Sequence, residues 1–354
     1  MSLEIGIVGL PNVGKSTLFK AITKKEVNIA NYPFCTIEPN VGVVPIPDER
    51  LDELAKLKPS AKKIYATVRF VDIAGLVKDA HKGEGLGNKF LSHIREVDAV
   101  VYVLRCFKNE KVSSTQNEIN PLKEKEILDT EMALKDLETI EKRIASLEKD
   151  IKSGNKDALE EKNLLQKAKD WLQKGNLLLS LSLEKEEKEI LKKYQFLTIK
   201  PQLFVLNGTK SEISEEVIGF FKKNNLRFLI IDLLVELQAL DFTPEERKSL
   251  GLPEKSAFDS LIKESFKLLD LITFFTVKGE EEVRAWPAKK GIKAPEAGAL
   301  IHSDFRDYFK KAEVINWRDL VSAGSFAKAR EKGLVRVEGK DYVVKDGDVI
   351  EIKI

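Results

Sequence analysis

The chain has 354 residues, enough for two or three domains. It is 43% hydrophobic and 33% charged, the balance of a soluble globular protein, and no apolar run approaches the roughly 20 residues of a membrane span. Lys and Arg (59) nearly cancel Asp and Glu (57), so overall charge argues neither for nor against a nucleic-acid partner. The only cysteines, Cys35 and Cys106, cannot build a disulfide framework, which points to a reducing cytoplasm. The first strand starts so close to Met1 that no signal peptide is expected.

Residues 5–8 are an apolar run and read as a short buried strand. Gly9-Leu10-Pro11-Asn12-Val13-Gly14-Lys15-Ser16 follows and fits G-x-x-x-x-G-K-[ST] at every fixed position. Residues 16–22 then read as the first turns of a helix. Strand, glycine loop and helix in that order predict a phosphate cradle. The glycines let backbone N–H groups wrap an anion, and the helix N-terminus adds a favourable dipole. Asn12, Val13, Gly14, Lys15, Ser16 and Thr17 are the expected nucleotide-binding residues of the loop. Lys15 supplies charge for the outer phosphates, and the Ser16 hydroxyl suits Mg²⁺.

Asn31-Tyr32-Pro33-Phe34-Cys35-Thr36 is turn-rich, and Thr36 is placed in sequence to be a second hydroxyl ligand of Mg²⁺. By itself it would be a surface threonine. Residues 66–73 read as a strand ending in Asp72-Ile73-Ala74-Gly75, a D-x-x-G. There Asp72 approaches Mg²⁺ through water and the Gly75 N–H meets the γ-phosphate. Ras-type GTPases follow this motif with a Gln that orients water. Here the residue is Leu76, which cannot. His81 is the polar candidate nearby, although a histidine in a glycine-rich loop is more often simply exposed. Lys15, Gly75 and His81 are thus the residues expected to act in catalysis.

Residues 99–104 read as a further strand. From about 120 to 200 glycine is scarce and Glu and Lys dominate. Leu137, Ile140, Ile144, Leu147 and Ile151 follow a 3-4-3-4 spacing, Gly154-Asn155 breaks it, and Leu165, Ala168 and Leu172 resume it. That predicts an antiparallel helical hairpin, which composition favours as a spacer with solvated outer faces over a docking arm for a partner. Residues 201–206 and 228–231 return to strand texture, so the sheet resumes around the insertion. A helix over 256–269 follows. Residues 273–277 and 283–286 read as a hairpin of strands, 303–311 as a helix, and 334–337, 342–344 and 349–354 as short strands. The expected architecture is an α/β P-loop NTPase (Ras-like) sheet over 1–120 and 200–271. The hairpin occupies 121–199, and a small α+β domain covers 272–354.

GTPases read guanine with N-K-x-D after a strand. This chain has Asn207-Gly208-Thr209-Lys210 there. An ammonium has donors and no acceptor, so guanine's two donors go unmet and ATP is favoured over GTP.

These residues resemble the YchF family, the Obg-like ATPases of the translation-factor class of P-loop proteins, over nearly the whole chain. The most specific pieces are the loop through Thr17, the stretch from Asn31 to Asn40, Asp72-Ile73-Ala74-Gly75-Leu76-Val77, and His81-Lys82-Gly83-Glu84-Gly85-Leu86-Gly87-Asn88. The final domain resembles the family's TGS module, a β-grasp, through Asp304-Phe305 and the stretch from Gly339 to Asp348.

The resemblance implies ATP hydrolysis in preference to GTP and association with ribosomes or RNA. It makes Ser16 and Thr36 the Mg²⁺ ligands and sets Asn207 and Gly208 beside adenine. It makes Asn12 a candidate K⁺ ligand. Two departures stand out. Val112-Ser113-Ser114-Thr115 lacks a histidine many members carry, and Asp232-Leu233-Leu234-Val235-Glu236 lacks the small residues usual at the base pocket. Together these readings give a slow, ribosome- or RNA-associated, cytoplasmic ATPase switch. The competing readings are a ribosome- or RNA-binding module with incidental hydrolysis, and a GTPase. For RNA, the last domain offers Lys328, Arg330, Lys332, Arg336, Lys340 and Lys345.

Overall fold

The computed structural model describes residues 3–24, 40–73, 87–108, 118–278 and 281–354. Its elements begin with β1 (Glu4–Val8), α1 (Lys15–Thr23), β2 (Val41–Pro45), α2 (Glu49–Lys56), β3 (Lys62–Ile64) and β4 (Thr67–Asp72). Then come α3 (Asn88–Glu96), β5 (Ala99–Arg105), α4 (Pro121–Lys152), α5 (Lys156–Gln173) and α6 (Lys185–Lys192). Next are β6 (Gln202–Asn207), α7 (Glu215–Lys223), β7 (Phe228–Ile231), α8 (Leu233–Gln238), α9 (Pro244–Ser249) and α10 (Ala257–Leu268). The last are β8 (Leu271–Lys278), β9 (Glu282–Lys289), α11 (Ala294–Ile301), α12 (Asp304–Asp307), β10 (Lys311–Asn316), α13 (Trp317–Ala323), α14 (Phe326–Glu331), β11 (Arg336–Glu338) and β12 (Asp348–Lys353). No described helix is long and apolar enough to cross a membrane.

These elements form two compact units. The first holds the described residues within Met1–Lys24, Ile37–Gly42 and Arg69–Ala257; the second includes Val43–Val68 and Phe258–Ile354. The stretch 43–68, expected within the first domain, therefore goes with the C-terminal residues.

In the sheet of order β2-β4-β1-β5-β6-β7, β1, β5, β6, β7 and most of β4 lie in the first unit. β1 runs parallel to β4 and β5, and β6 parallel to β5 and β7. β5 is buried at all seven positions and β6 at all six, as strands covered on both faces must be. The register pairs Ile7 with Asp72 and Arg105 with Asn207. Their carboxyl ends therefore form one edge, where open parallel sheets bind ligands.

Helix α4 starts cleanly. The Asn120 side chain accepts from Lys123 N, and Pro121 occupies the first helical position. Asn155 caps α5 in the same way, accepting from Ala158 N. The seam predicted from spacing is the seam observed. Ile140 and Leu147 are buried with Leu165, Ala168 and Leu172, while Leu137, Ile144 and Ile151 pack against them. Nearer the sheet, Asp136 of α4 is fully buried and takes three donors. They are Leu197 N at 2.9 Å, Thr198 N at 2.8 Å and Thr198 Oγ1 at 2.7 Å. Burial still raises its pKa.

The second unit is a mixed sheet of order β11-β10-β12-β8-β9-β3. β8 and β9 form the expected antiparallel pair, from Leu271 opposite Lys289 to Lys278 opposite Glu282. Phe274, Ala294, Ala297, Val314 and Ile350 make its core. β3 adds to the edge in parallel with β9, pairing Lys62 with Glu282 and Ile64 with Arg284. Arg50 of α2 binds Asp48 and Asp346 and lies 5.3 Å from the Phe275 ring centroid.

Two local expectations fail here. Of 303–311 only Asp304–Asp307 is helical, and Lys311–Asn316 is a strand paired with both β11 and β12. Phe305 and Phe309 sit four apart, which mimics a helical face. Residues 342–344 make only a bridge from Val343 to Lys293.

Candidate functional site

The glycine loop joins β1 to α1, as its residue pattern requires. Gly14 caps α1 with φ 108°, and a Cβ there would sit 2.5 Å from Asn207 Nδ2. A Cβ on Gly9 would lie 2.5 Å from the Val103 carbonyl oxygen. Both glycines are therefore set by close approach. Asn12 takes a left-handed φ of 64°, which asparagine tolerates better than most residues. Lys15 is buried, and its ammonium donates to the Leu10 carbonyl at 2.7 Å. Burial lowers its pKa to about 8, while the charges of Asp72 and Glu124 act in the opposite direction. Asp72 closes β4 with 4% exposure, one strand away from the loop.

A cleft of about 780 Å³ opens on this edge of the first unit. Asn12, Gly14, Lys15, Ser16 and Thr17 line its phosphate-binding side. Phe107, Asn207, Thr209, Glu212, Asp232 and Leu233 line the opposite side. A larger cavity of about 1000 Å³, bounded partly by Leu134, Leu137, Leu172 and Phe220, contains none of the loop residues. The chemistry therefore belongs to the smaller cleft.

Asn207 is a tether. Its Nδ2 donates to Val13 O at 2.8 Å, and its Oδ1 accepts from Leu233 N at 3.1 Å. Its own carbonyl accepts from Cys106 N and Phe107 N. The side chain expected beside the base thus joins the phosphate loop to the start of α8.

Gly208 is buried between the cleft-lining Asn207 and Thr209, with its N–H on the Ile231 carbonyl. The Val13 side chain is also buried, so whatever Val13 gives the cleft comes from its backbone. Lys210 is exposed and absent from the wall. Thr36, Gly75, His81 and Leu76 lie outside the described residues.

Sequence reading missed Phe107 and Glu212. Phe107 offers an aromatic face, with the Arg105 guanidinium 4.8 Å from its centroid. Glu212 Oε2 accepts from Thr209 N and Thr209 Oγ1, and its Oε1 accepts from Lys108 N. These donors hold its carboxyl below the usual range. Position could have found Phe107, because it lies just past the carboxyl end of β5. Glu212 gave no such signal, since it sits five residues past Asn207.

In the second unit the basic cluster is partly neutralised. Arg330 pairs with Glu313 and Glu351, and Arg336 with Glu338 and the Tyr342 hydroxyl. Lys328, Lys332, Lys340 and Lys345 are exposed.

Comparisons with known proteins agree with this geometry. Residues 4–136 match a family model described as a 50S ribosome-binding GTPase. Residues 271–354 match a C-terminal YchF-GTPase model described as a protein of unknown function. The Bacillus subtilis (strain 168) "Ribosome-binding ATPase YchF" is 44% identical, covering 100% of this chain and 99% of its own. The Escherichia coli O157:H7 protein of the same name is 43% identical, with 99% and 98% covered. The solved Schizosaccharomyces pombe YchF GTPase superposes with a TM-score of 0.91 at 33% identity, covering 99% of this chain and 98% of that one.

Proposed function

The chain belongs to the YchF family, and from that premise we propose that it is a Mg²⁺-dependent ATPase acting as a slow switch on the ribosome, in the cytoplasm. The observation that carries this is the cradle. Gly14, Lys15, Ser16 and Thr17 open on a cleft at the carboxyl edge of a parallel sheet, beside the buried Asp72.

Loop N–H groups face the phosphates. The Lys15 ammonium, now on the Leu10 carbonyl, turns to the outer phosphate oxygens. The buried Asp72 carboxylate with hydroxyls nearby suits Mg²⁺, which keeps waters and takes substrate phosphates as ligands. Ser16 and Asp72 would hold it, with Thr36 as the expected further hydroxyl. Held by these residues, the ion would supply positive charge against that developing on the phosphoryl group. Leu76 after D-x-x-G leaves no side-chain amide to orient water, which accounts for a slow intrinsic rate.

The far wall supports a preference for adenine. Guanine needs a carboxylate that accepts twice. Each Glu212 oxygen already accepts from the protein, and no acidic side chain stands at Lys210. One observation favours guanine instead: Asp232 lines the cleft, although its Oδ1 caps α8 through Leu234 N and Val235 N. Competition binding decides between them. ATP is expected to displace a labelled nucleotide at least about tenfold better than GTP, a difference one unmet buried donor can produce. Preference for GTP would overturn the assignment.

Asn12 lines the cleft in its left-handed conformation and is the candidate K⁺ ligand. Turnover should be faster in K⁺ than in Na⁺ at equal ionic strength, and equal rates would remove K⁺ from the mechanism. The charged outer faces of α4 and α5 and the exposed lysines of the second unit are the proposed ribosome or RNA contacts. Turnover measured with and without ribosomes tests that coupling.

A further inference from the structure

The cleft wall opposite the phosphate loop is built on a buried ion pair that the phosphate chemistry does not use. Asp232, Leu233 and Leu234 line that wall where α8 begins. α8 has six residues, too few for a helix to hold its own place in water. Its position is therefore set by what it is bonded to. Asn207 fixes its first residue through Leu233 N. Glu236, one turn on and on the same helix face as Leu233, is buried at 5% exposure.

Glu236 meets Arg247, the buried residue of α9, at 3% exposure. Arg247 Nη2 donates to Glu236 Oε1 at 2.7 Å, its Nε to the Pro253 carbonyl at 2.7 Å and its Nη1 to the Ala239 carbonyl at 3.2 Å. Glu236 Oε2 accepts from Ser256 Oγ at 3.1 Å and from Ala257 N at 3.2 Å. The pair thus ties α8 to α9, to the turn at Pro253 and to the start of α10. Apolar side chains of similar volume are often as stabilising at such a place, because an ion pair must first be desolvated. What apolar packing lacks is direction. A planar guanidinium bonded on three sides, facing a carboxylate bonded on both oxygens, leaves α8 little freedom to slide or rotate.

We propose that Glu236 and Arg247 are positioning residues for the base side of the nucleotide cleft, holding Leu233 and Leu234 through α8 where the wall meets the base. The inference rests on the reading of the cleft as a nucleotide site. Neither residue of the pair lines the cleft, so both act through the helix. Leu234 is 57% exposed, a large apolar side chain left open at the cleft, as a surface that a purine ring covers would be. Lys15 and Ser16 stand on the other side. A small rotation of α8 moves the wall against the base and leaves the phosphate contacts in place.

The experiment compares two ligands that share a triphosphate and differ in the base. A non-hydrolysable ATP analogue and inorganic tripolyphosphate, each with Mg²⁺, are titrated calorimetrically into the full chain as wild type and as Arg247→Lys. Lysine keeps the charge, but as a point donor it cannot serve Glu236, Ala239 and Pro253 in the plane of a guanidinium. Arg247→Lys is expected to bind the ATP analogue about three- to tenfold more weakly than wild type, and tripolyphosphate within about twofold. A merely structural role does not give that split. A weakened fold lowers the competent fraction, and both affinities then fall by the same factor.

Equal weakening of the two ligands, or unchanged binding of the ATP analogue, overturns the proposal. Should Arg247→Lys not fold, Glu236→Asp takes its place, with the charge kept and the reach shortened by one methylene. Should neither fold, hydrogen exchange on the wild type decides. The α8 amides should be protected by the ATP analogue and not by tripolyphosphate, and equal protection overturns the proposal. Wild type that binds neither ligand overturns the site reading and the inference together. Wild type that binds both, with no selective loss in the variant, overturns the inference alone.

Discussion

Lys15→Ala is expected to lower ATP turnover by at least about 100-fold, the usual scale for removing one charged or preorganised donor from a transition state. The wild-type ammonium is buried, and burial lowers its pKa to about 8. Its positive charge is therefore costly without an anion and strongly favoured with one. Single-turnover kinetics with saturating nucleotide should show the loss in the chemical step, beyond any loss of affinity. Turnover within about fivefold of wild type would mean that the loop binds phosphate without assisting its transfer. The hydrogen bond lost with the side chain is the one to the Leu10 carbonyl, so the fold should tolerate the change.

Asp136→Ala should destabilise the chain by about 3–5 kcal/mol, because it leaves several buried donors without an acceptor. Three donors, Leu197 N, Thr198 N and Thr198 Oγ1, lose their acceptor at a fully buried site. Each buried donor left unmet costs about 1–3 kcal/mol, partly offset because no carboxylate is then desolvated. Burial raises the Asp136 pKa in the native state, which measures that desolvation. Asp136→Asn should fall between, at about 1–3 kcal/mol, since one oxygen remains as acceptor. Denaturant unfolding followed by helix signal measures both. Wild-type stability for Asp136→Ala would show that the base of the hairpin is not held there.

What was legible in the sequence was legible through period and chemistry. The strand–loop–helix of the phosphate cradle and the Leu137–Ile151 seam are local patterns, and each gave its element type directly. The long-range pairings were not. β3, over Lys62–Ile64, has two exposed lysines and one buried isoleucine, too short and polar to read as a strand. It becomes one because β9 supplies the partner. In 311–316 the alternation of Ala312 and Val314 was masked by Phe305 and Phe309 before it. At the site, the spacing of Gly9 and Gly14 shows the turn of the loop directly, whereas the tether that Asn207 makes to that loop does not show in sequence. The burial of Asn207 between Val13 and Leu233 is a tertiary fact, invisible until the strand and loop are brought together.

The parallel pairing of β3 with β9 has a consequence for the order of synthesis. Residues 43–68 leave the translating machinery long before Glu282–Lys289 exists, so Lys62–Ile64 cannot find its partner until most of the chain has been made. At ordinary elongation rates that delay is on the order of ten seconds or more. During it, an unpaired strand edge and α2, with its buried Leu51 and Leu54, lack their final neighbours. The second unit is thus completed only near the end of translation. A fragment that starts at Leu271 would lack an edge strand and the Arg50 contacts. Pulse-labelled nascent chains truncated before residue 282 should remain protease-sensitive in 43–68, and become resistant only once β9 has emerged.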